Sequence, residues 1–216
     1  MPLTLLRMGR KKSLSMSDST IKVLLFLAQG FEDLEAIAIL DVFGWTQYRE
    51  NIKKASVITT GFHQIVRSRF GLEIKPHLLF SEVNPEDYQA LVLPGGFFSY
   101  GFDEAFDERI HKLASHIHNN GGTIATMCVG ILPIAEAGLL NEKEATTYPY
   151  SRDHDNIRSL RKNGALVVKG PVVMDDRIIS CSGPGSALDV AFLLMENLLG
   201  SKTTREVRRF MIYKNE

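Results

Sequence analysis

The chain is short of several things that would assign it at once. It has two cysteines and one tryptophan in 216 residues. Two cysteines make no disulfide framework, and the expected setting is a reducing one, the cytoplasm. The 25 acidic and 25 basic residues cancel to a formal charge of zero. That removes the electrostatic footprint of a nucleic-acid binder, so none is expected as a partner. No apolar run approaches the roughly 18 residues of a membrane span, so no membrane association is expected either. No histidine follows His154, and there is no internal repeat or low-complexity tract. What remains is an ordinary globular composition, 44 % hydrophobic, long enough to bury a core without staples.

Residues 1–20, "MPLTLLRMGRKKSLSMSDST", read as a disordered extension. Their basic residues follow the short apolar piece, the wrong order for a secretory signal. From 21 to 200 short apolar runs alternate with helical patterns in one domain. "IKVLLFLA" (21–28), "ASVITTG", "YQALVLPGG" and "TIATMC" read as strands buried on both faces. "QIVRSRFGLEIKPHLLF" reads as a hairpin turning at Phe70-Gly71. "LVVKGPVVMDDRIISCS" reads as strands with a turn at Asp175-Asp176, which leaves Cys181 packed in a strand.

Helices are expected after Gly30, over "DEAFDERIHKLASHIHNNGG" with Asp103 as its cap, over "VGILPIAEAGLL", over "RDHDNIRSLRKNG", and over "ALDVAFLLMENLL". The first is apolar nearly all round and must be covered on more than one side. Asp41 within it either pairs in the core or meets a second subunit. Residues 201–216 read as a helix or tail of the same domain, with Arg208 and Arg209 on a solvated face. His111, His116 and His118 share one helix without the i,i+4 spacing of paired ligands. They read as surface residues, and no metal or cofactor is expected.

Strands alternating with helices imply a three-layer α/β sandwich, a mostly parallel sheet with helices on both faces. Ligands in such sheets bind beyond the carboxyl ends of the strands. Three such ends read "AQGFED", "LPGG" and "TMCVG". In the last, Cys128 sits at an abrupt strand-to-helix join. Unpaired N–H groups and the helix dipole favour a thiolate there, and the sharp turn exposes it in the manner of a nucleophile elbow. Read by itself, Cys128 is as much a buried structural cysteine as a reactive one.

"GFEDLEA", "ALVLPGG", "TIATMCVG", "AEAGLL", "ATTYP" and "SGPGSALDVAFLLME" occur in this order, and together they resemble the ThiJ/PfpI superfamily over about residues 21–200. The resemblance implies a flavodoxin-like fold and a homodimer. It makes Cys128 the elbow cysteine and Glu32 the acid that hydrogen-bonds its sulfur. Gly95 and Gly96 match the family's glycine pair, and the resemblance makes the amides of Gly96 and Val129 an oxyanion hole. It sets Gly95, Tyr148, Gly185 and Ser186 around the same pocket.

Tyr148 stands where many members carry histidine, and Val129 where the peptidase-like branch carries one. A tyrosine is a poor base near neutral pH. His154 could supply the missing imidazole only if its loop folds back; otherwise it is a surface residue. The function implied is a cofactor-free attack of Cys128 on a small electrophilic carbonyl, glyoxalase- or deglycase-like. Two alternatives stand beside it. One is a redox-responsive dimer that senses oxidants through Cys128. The other is an isonitrile hydratase-like enzyme, suggested by "LDVFG" and the tail "VRRFMIY". The glutamine amidotransferases share the elbow but need a C-terminal His-x-Glu, which this chain lacks.

Overall fold

The computed structural model describes residues 20–213, so the expected disorder of the first segment lies almost wholly outside the described residues. A seven-stranded sheet runs through the centre of the domain. Its strands are β1 (Ile21–Phe26), β2 (Ala55–Gly61), β5 (Leu78–Leu79), β6 (Ala90–Leu93), β7 (Thr123–Thr126), β10 (Val172–Asp175) and β11 (Ile178–Cys181). Two small ladders complete the set, a hairpin of β3 (Val66–Arg67) with β4 (Glu73–Ile74), and β8 (Glu144–Ala145) beside β9 (Leu166–Val167). The strand order of the main sheet is β10-β11-β7-β6-β1-β2-β5. All its neighbours are parallel except the β10–β11 hairpin at one edge.

Why β1 is a continuous apolar run is plain from its two faces. Val23, Leu25 and Leu27 enter one core layer, and Leu24, Phe26 and Ala28 enter the other. The first layer is closed by α1 (Asp33–Gly44), α5 (Ala187–Leu199) and α6 (Ser201–Phe210). The second is closed by α2 (Glu108–Asn119), α3 (Ile131–Glu136) and α4 (Asn156–Lys162). The chain leaves β1 toward β2 and later returns to pair β6 on the other side of β1. That reversal is a topological switch point, where adjacent loops diverge and leave a crevice.

The sandwich, the buried strands and the hairpin agree with the sequence reading. Several details differ. Asp107, not Asp103, caps α2, its side chain accepting from Arg109 N–H at 2.9 Å. Asp103 lies instead in a 3-10 turn, Phe102–Phe106, that follows the left-handed Gly101. The helix after Cys128 is only six residues long. The β10–β11 turn falls one residue later, at Asp176-Arg177, where both residues have positive φ. Asp41 is exposed on α1 rather than paired in the core. His118 is buried, with Nε2 2.8 Å from the Asp176 carbonyl under that turn. Arg208 is half-buried, its guanidinium 4.7 Å from the centre of the Phe192 ring, while Arg209 is exposed as expected. The tail is a helix through Phe210.

Candidate active site

Three loops at the carboxyl ends of β1, β6 and β7 are held together by backbone contacts. Glu32 N–H donates to Gly95 O at 2.9 Å, and Phe97 N–H donates to Gly30 O at 3.0 Å. Close approach at this point requires glycine. A Cβ on Gly96 would come within 2.3 Å of the Phe102 ring, and one on Gly130 within 2.4 Å of the Leu93 carbonyl. Thus the Gly-rich stretches bring the loop after β6 against both of its neighbours.

Cys128 sits where β7 breaks into a 3-10 turn, Cys128–Gly130, that runs on into α3. Its φ is +53°, a left-handed conformation that is uncommon for a residue with a Cβ and stores strain. The turn aims the side chain at Gly95, whose own Cβ would lie 2.7 Å from that of Cys128. Thr147 ties the next segment to the elbow, its hydroxyl donating to the Cys128 carbonyl at 3.0 Å.

The acid beside this thiol differs from the one expected. Glu32 is engaged at the start of α1, where its carboxylate caps the helix by accepting from Glu35 N–H at 2.9 Å. Glu35, one turn on, is fully buried. Its Oε2 accepts from Gly95 N–H at 2.6 Å, and its Oε1 has no hydrogen-bond partner among the described residues. Burial raises its pKa from 4.5 to about 8, against the Gly95 hydrogen bond, which lowers it. Near neutral pH Glu35 is therefore mostly a carboxylic acid.

Nor is Cys128 a ready thiolate. Burial first, and then the Glu35 charge, push its pKa well above the ordinary value, and only the Val129 N–H works in the other direction. The elbow opens onto a 3-10 turn and six helical residues, too little aligned backbone to offset the lost hydration. Cys128 and Glu35 thus form a proton-holding pair: a charged Glu35 disfavours a thiolate beside it, so a proton leaving the sulfur is best retained by the carboxyl.

Above the pair lies a cavity of about 620 Å³ whose walls include Cys128, Glu32, Gly96, Val129, Tyr148 and His154. Of the residues expected around it, Gly95 is buried, with its N–H already given to Glu35. Gly185 and Ser186 belong to the turn into α5, and it is Pro184 that reaches the cavity. His154 does fold back, its ring centred 4.4 Å from that of Phe98 at the cavity edge. Sequence reasoning missed Glu35. A signal was available, because Glu35 shares the buried stripe of α1 with Ala38, Ile39 and Val42.

No helix among the described residues is long and apolar enough to cross a membrane. The model of the DJ-1/PfpI family matches residues 21–197. Protein dj-1beta of Drosophila melanogaster is 29 % identical over 191 residues, covering 88 % of this chain and 95 % of that protein. Deglycase PfpI of Pyrococcus furiosus is 30 % identical over 166 residues, covering 76 % of this chain and 92 % of that one. Among solved structures, Drosophila melanogaster DJ-1beta superposes with a TM-score of 0.77 at 24 % identity, over 91 % of this chain and all of that one.

Proposed function

This chain belongs to the DJ-1/PfpI family, and on that premise we propose that it is a cofactor-free enzyme that attacks small electrophilic carbonyl groups through Cys128. Deglycase-named relatives at about 30 % identity support this direction. One observation carries the reading. A fully buried carboxyl, with one oxygen unpartnered among the described residues, lies next to a strained cysteine at the edge of a cavity.

In this reading the Cys128 sulfur adds to the aldehyde carbon as its proton passes to Glu35 in the ionised fraction. The carbonyl becomes an oxyanion beside the Gly96 and Val129 amides, the position in which such donors lower a barrier most. Glu35 takes the role the resemblance gave to Glu32, and Glu32 holds the helix that carries it. Tyr148 shapes the wall over Gly183, where a Cβ would lie 3.3 Å from its ring. The protein acts in the cytoplasm, where both cysteines stay free thiols as here.

Steady-state turnover of methylglyoxal and of a methylglyoxal-modified thiol or amine tests the reading. Cys128→Ser should abolish activity, and Glu35→Gln should lower kcat by about 100-fold or more. Glu32→Gln should cost much less. A wild-type protein inactive across that panel overturns the enzymatic reading.

In that event the second reading gains ground: a redox-responsive homodimer. Its support is the position of Cys128 at the cavity wall together with an exposed apolar face. Leu34 and Ile37 on α1 and Leu72 in the β3–β4 turn are each 40 % exposed or more. Sedimentation of wild type against Ile37→Glu checks the dimer.

A further inference from the structure

We propose that Cys181 is the resolving partner of Cys128, so that a hydroperoxide converts the two into an internal, reversible disulfide. The idea is independent of the carbonyl reading. The chain has two cysteines, 128 and 181, and the fold brings them to neighbouring strand ends. β11 closes on Cys181, and β7 ends two residues before Cys128. The parallel pairing Ile178↔Ile124 and Ile179↔Ala125, continued one for one, sets Cys181 opposite Met127. Cys128 is the next residue along. Ordinary strand spacing and rise then put the two Cα atoms about 6 Å apart, inside the span a disulfide bridges. The Cys128 N–H faces the Cys181 sulfur, and the Glu35 charge acts on both thiols.

Their surroundings divide the labour. Cys128 lines the cavity and is partly exposed, so it meets the peroxide. Cys181 is fully buried and is shielded from it. Its thiol donates a weak hydrogen bond to the Gly183 carbonyl at 3.4 Å, which is readily given up. In the first step the Cys128 sulfur attacks the distal peroxide oxygen. The S–O bond forms, the O–O bond breaks, and the departing alkoxide or hydroxide takes up a proton. Cys128 is then a sulfenic acid. In the second step the Cys181 sulfur attacks that of Cys128. The S–S bond forms, the S–O bond breaks, and the hydroxyl leaves as water with the Cys181 proton. The two thiols supply both electrons taken by the peroxide. Burial and the Glu35 carboxylate hold both thiols above their ordinary pKa values, so cross-linking should accelerate as pH rises.

The test uses the full chain, reduced, treated with hydrogen peroxide near stoichiometry, and quenched with an alkylating agent. Wild type should lose both thiols together and yield one peptide pair linking 128 to 181 within a single chain. Dithiothreitol should restore it. In Cys181→Ala and Cys181→Ser, Cys128 should pass instead to sulfinic acid that dithiothreitol does not reverse, accumulating about tenfold faster than in wild type. Thermal melts of both variants check that each is folded. Cys128→Ala should leave Cys181 unreacted. Wild type that accumulates Cys128 sulfinate while Cys181 remains open to alkylation after unfolding overturns the proposal, and so does a cross-link found only between chains. Methylglyoxal turnover of the reduced protein is a separate measurement, so either reading can fail without the other.

Discussion

The two ends of the sheet both carry a hollow, yet they differ in kind. At the amino ends of the strands a cleft of about 350 Å³ is lined by Glu86, His116, Asn120 and Gly122 among others. Its His–Glu pair is wet: His116 Nε2 lies 2.8 Å from Glu86 Oε1, with the Glu86 side chain 68 % exposed. Nearby, the Thr123 hydroxyl donates to Asn197 at 2.7 Å. At the carboxyl ends a carboxyl is buried with an oxygen unpartnered among the described residues, and the adjoining cysteine sits at positive φ. A hollow alone says little about chemistry. An ionisable group denied water says more, because its displaced pKa is free energy stored at that point.

The sharpest way to break this contrast is Glu35→Gln. Folding lifts the Glu35 pKa from 4.5 to about 8. The stability this group contributes is therefore whole below about pH 4.5 and drains away as pH climbs to about 8. At about 1.4 kcal/mol per pKa unit, wild type should lose roughly 4–5 kcal/mol relative to the glutamine variant across that window. Urea unfolding of both proteins at either end of the window measures it, and parallel pH profiles would refute the buried acid. The same substitution should bring the Cys128 pKa down, since it removes the second-largest cause of its rise. The pH dependence of Cys128 alkylation reads that shift.

Steric tests come next in size. Gly130→Ala drives a Cβ into the Leu93 and Pro94 carbonyls and should destabilise the carboxyl-end elbow by about 3 kcal/mol. Gly121→Ala, near the amino ends, meets open space and only the cost of φ +84°, so about 1 kcal/mol is expected. Denaturant midpoints of the pair would show whether loop crowding is confined to the carboxyl end. Smallest of all is Glu86→Gln at the wet His116–Glu86 contact. It should change stability by less than about 0.5 kcal/mol, with what effect there is fading in salt. A larger value would mean that the amino-end cleft is not the solvated surface described above.

Much of this was legible in the chain itself. Short apolar runs ending in Gly, Pro or Cys marked the strands and their carboxyl ends, because a strand covered on both faces admits only apolar side chains. Cys128 stood out because so few cysteines compete with it. Glu32 and Glu35 could not be ranked that way. Both are acids in the first turn of α1, and a shift of three residues at a helix start decides which caps the helix and which turns inward. His118 escaped for a similar reason, since a turn 58 residues away buries it, whereas the fold-back of His154 was left open by the chain and is decided by its packing on Phe98.

The sequence by itself therefore determined the alternation of elements, the two-faced sheet and the elbow, which follow from local periodicity and turn chemistry. Only the tertiary structure decided that Glu35 is the carboxyl beside Cys128 and that Cys181 lies on the next strand end. Both depend on how separate strands align, and strand register is fixed by packing across the whole core rather than by any one segment.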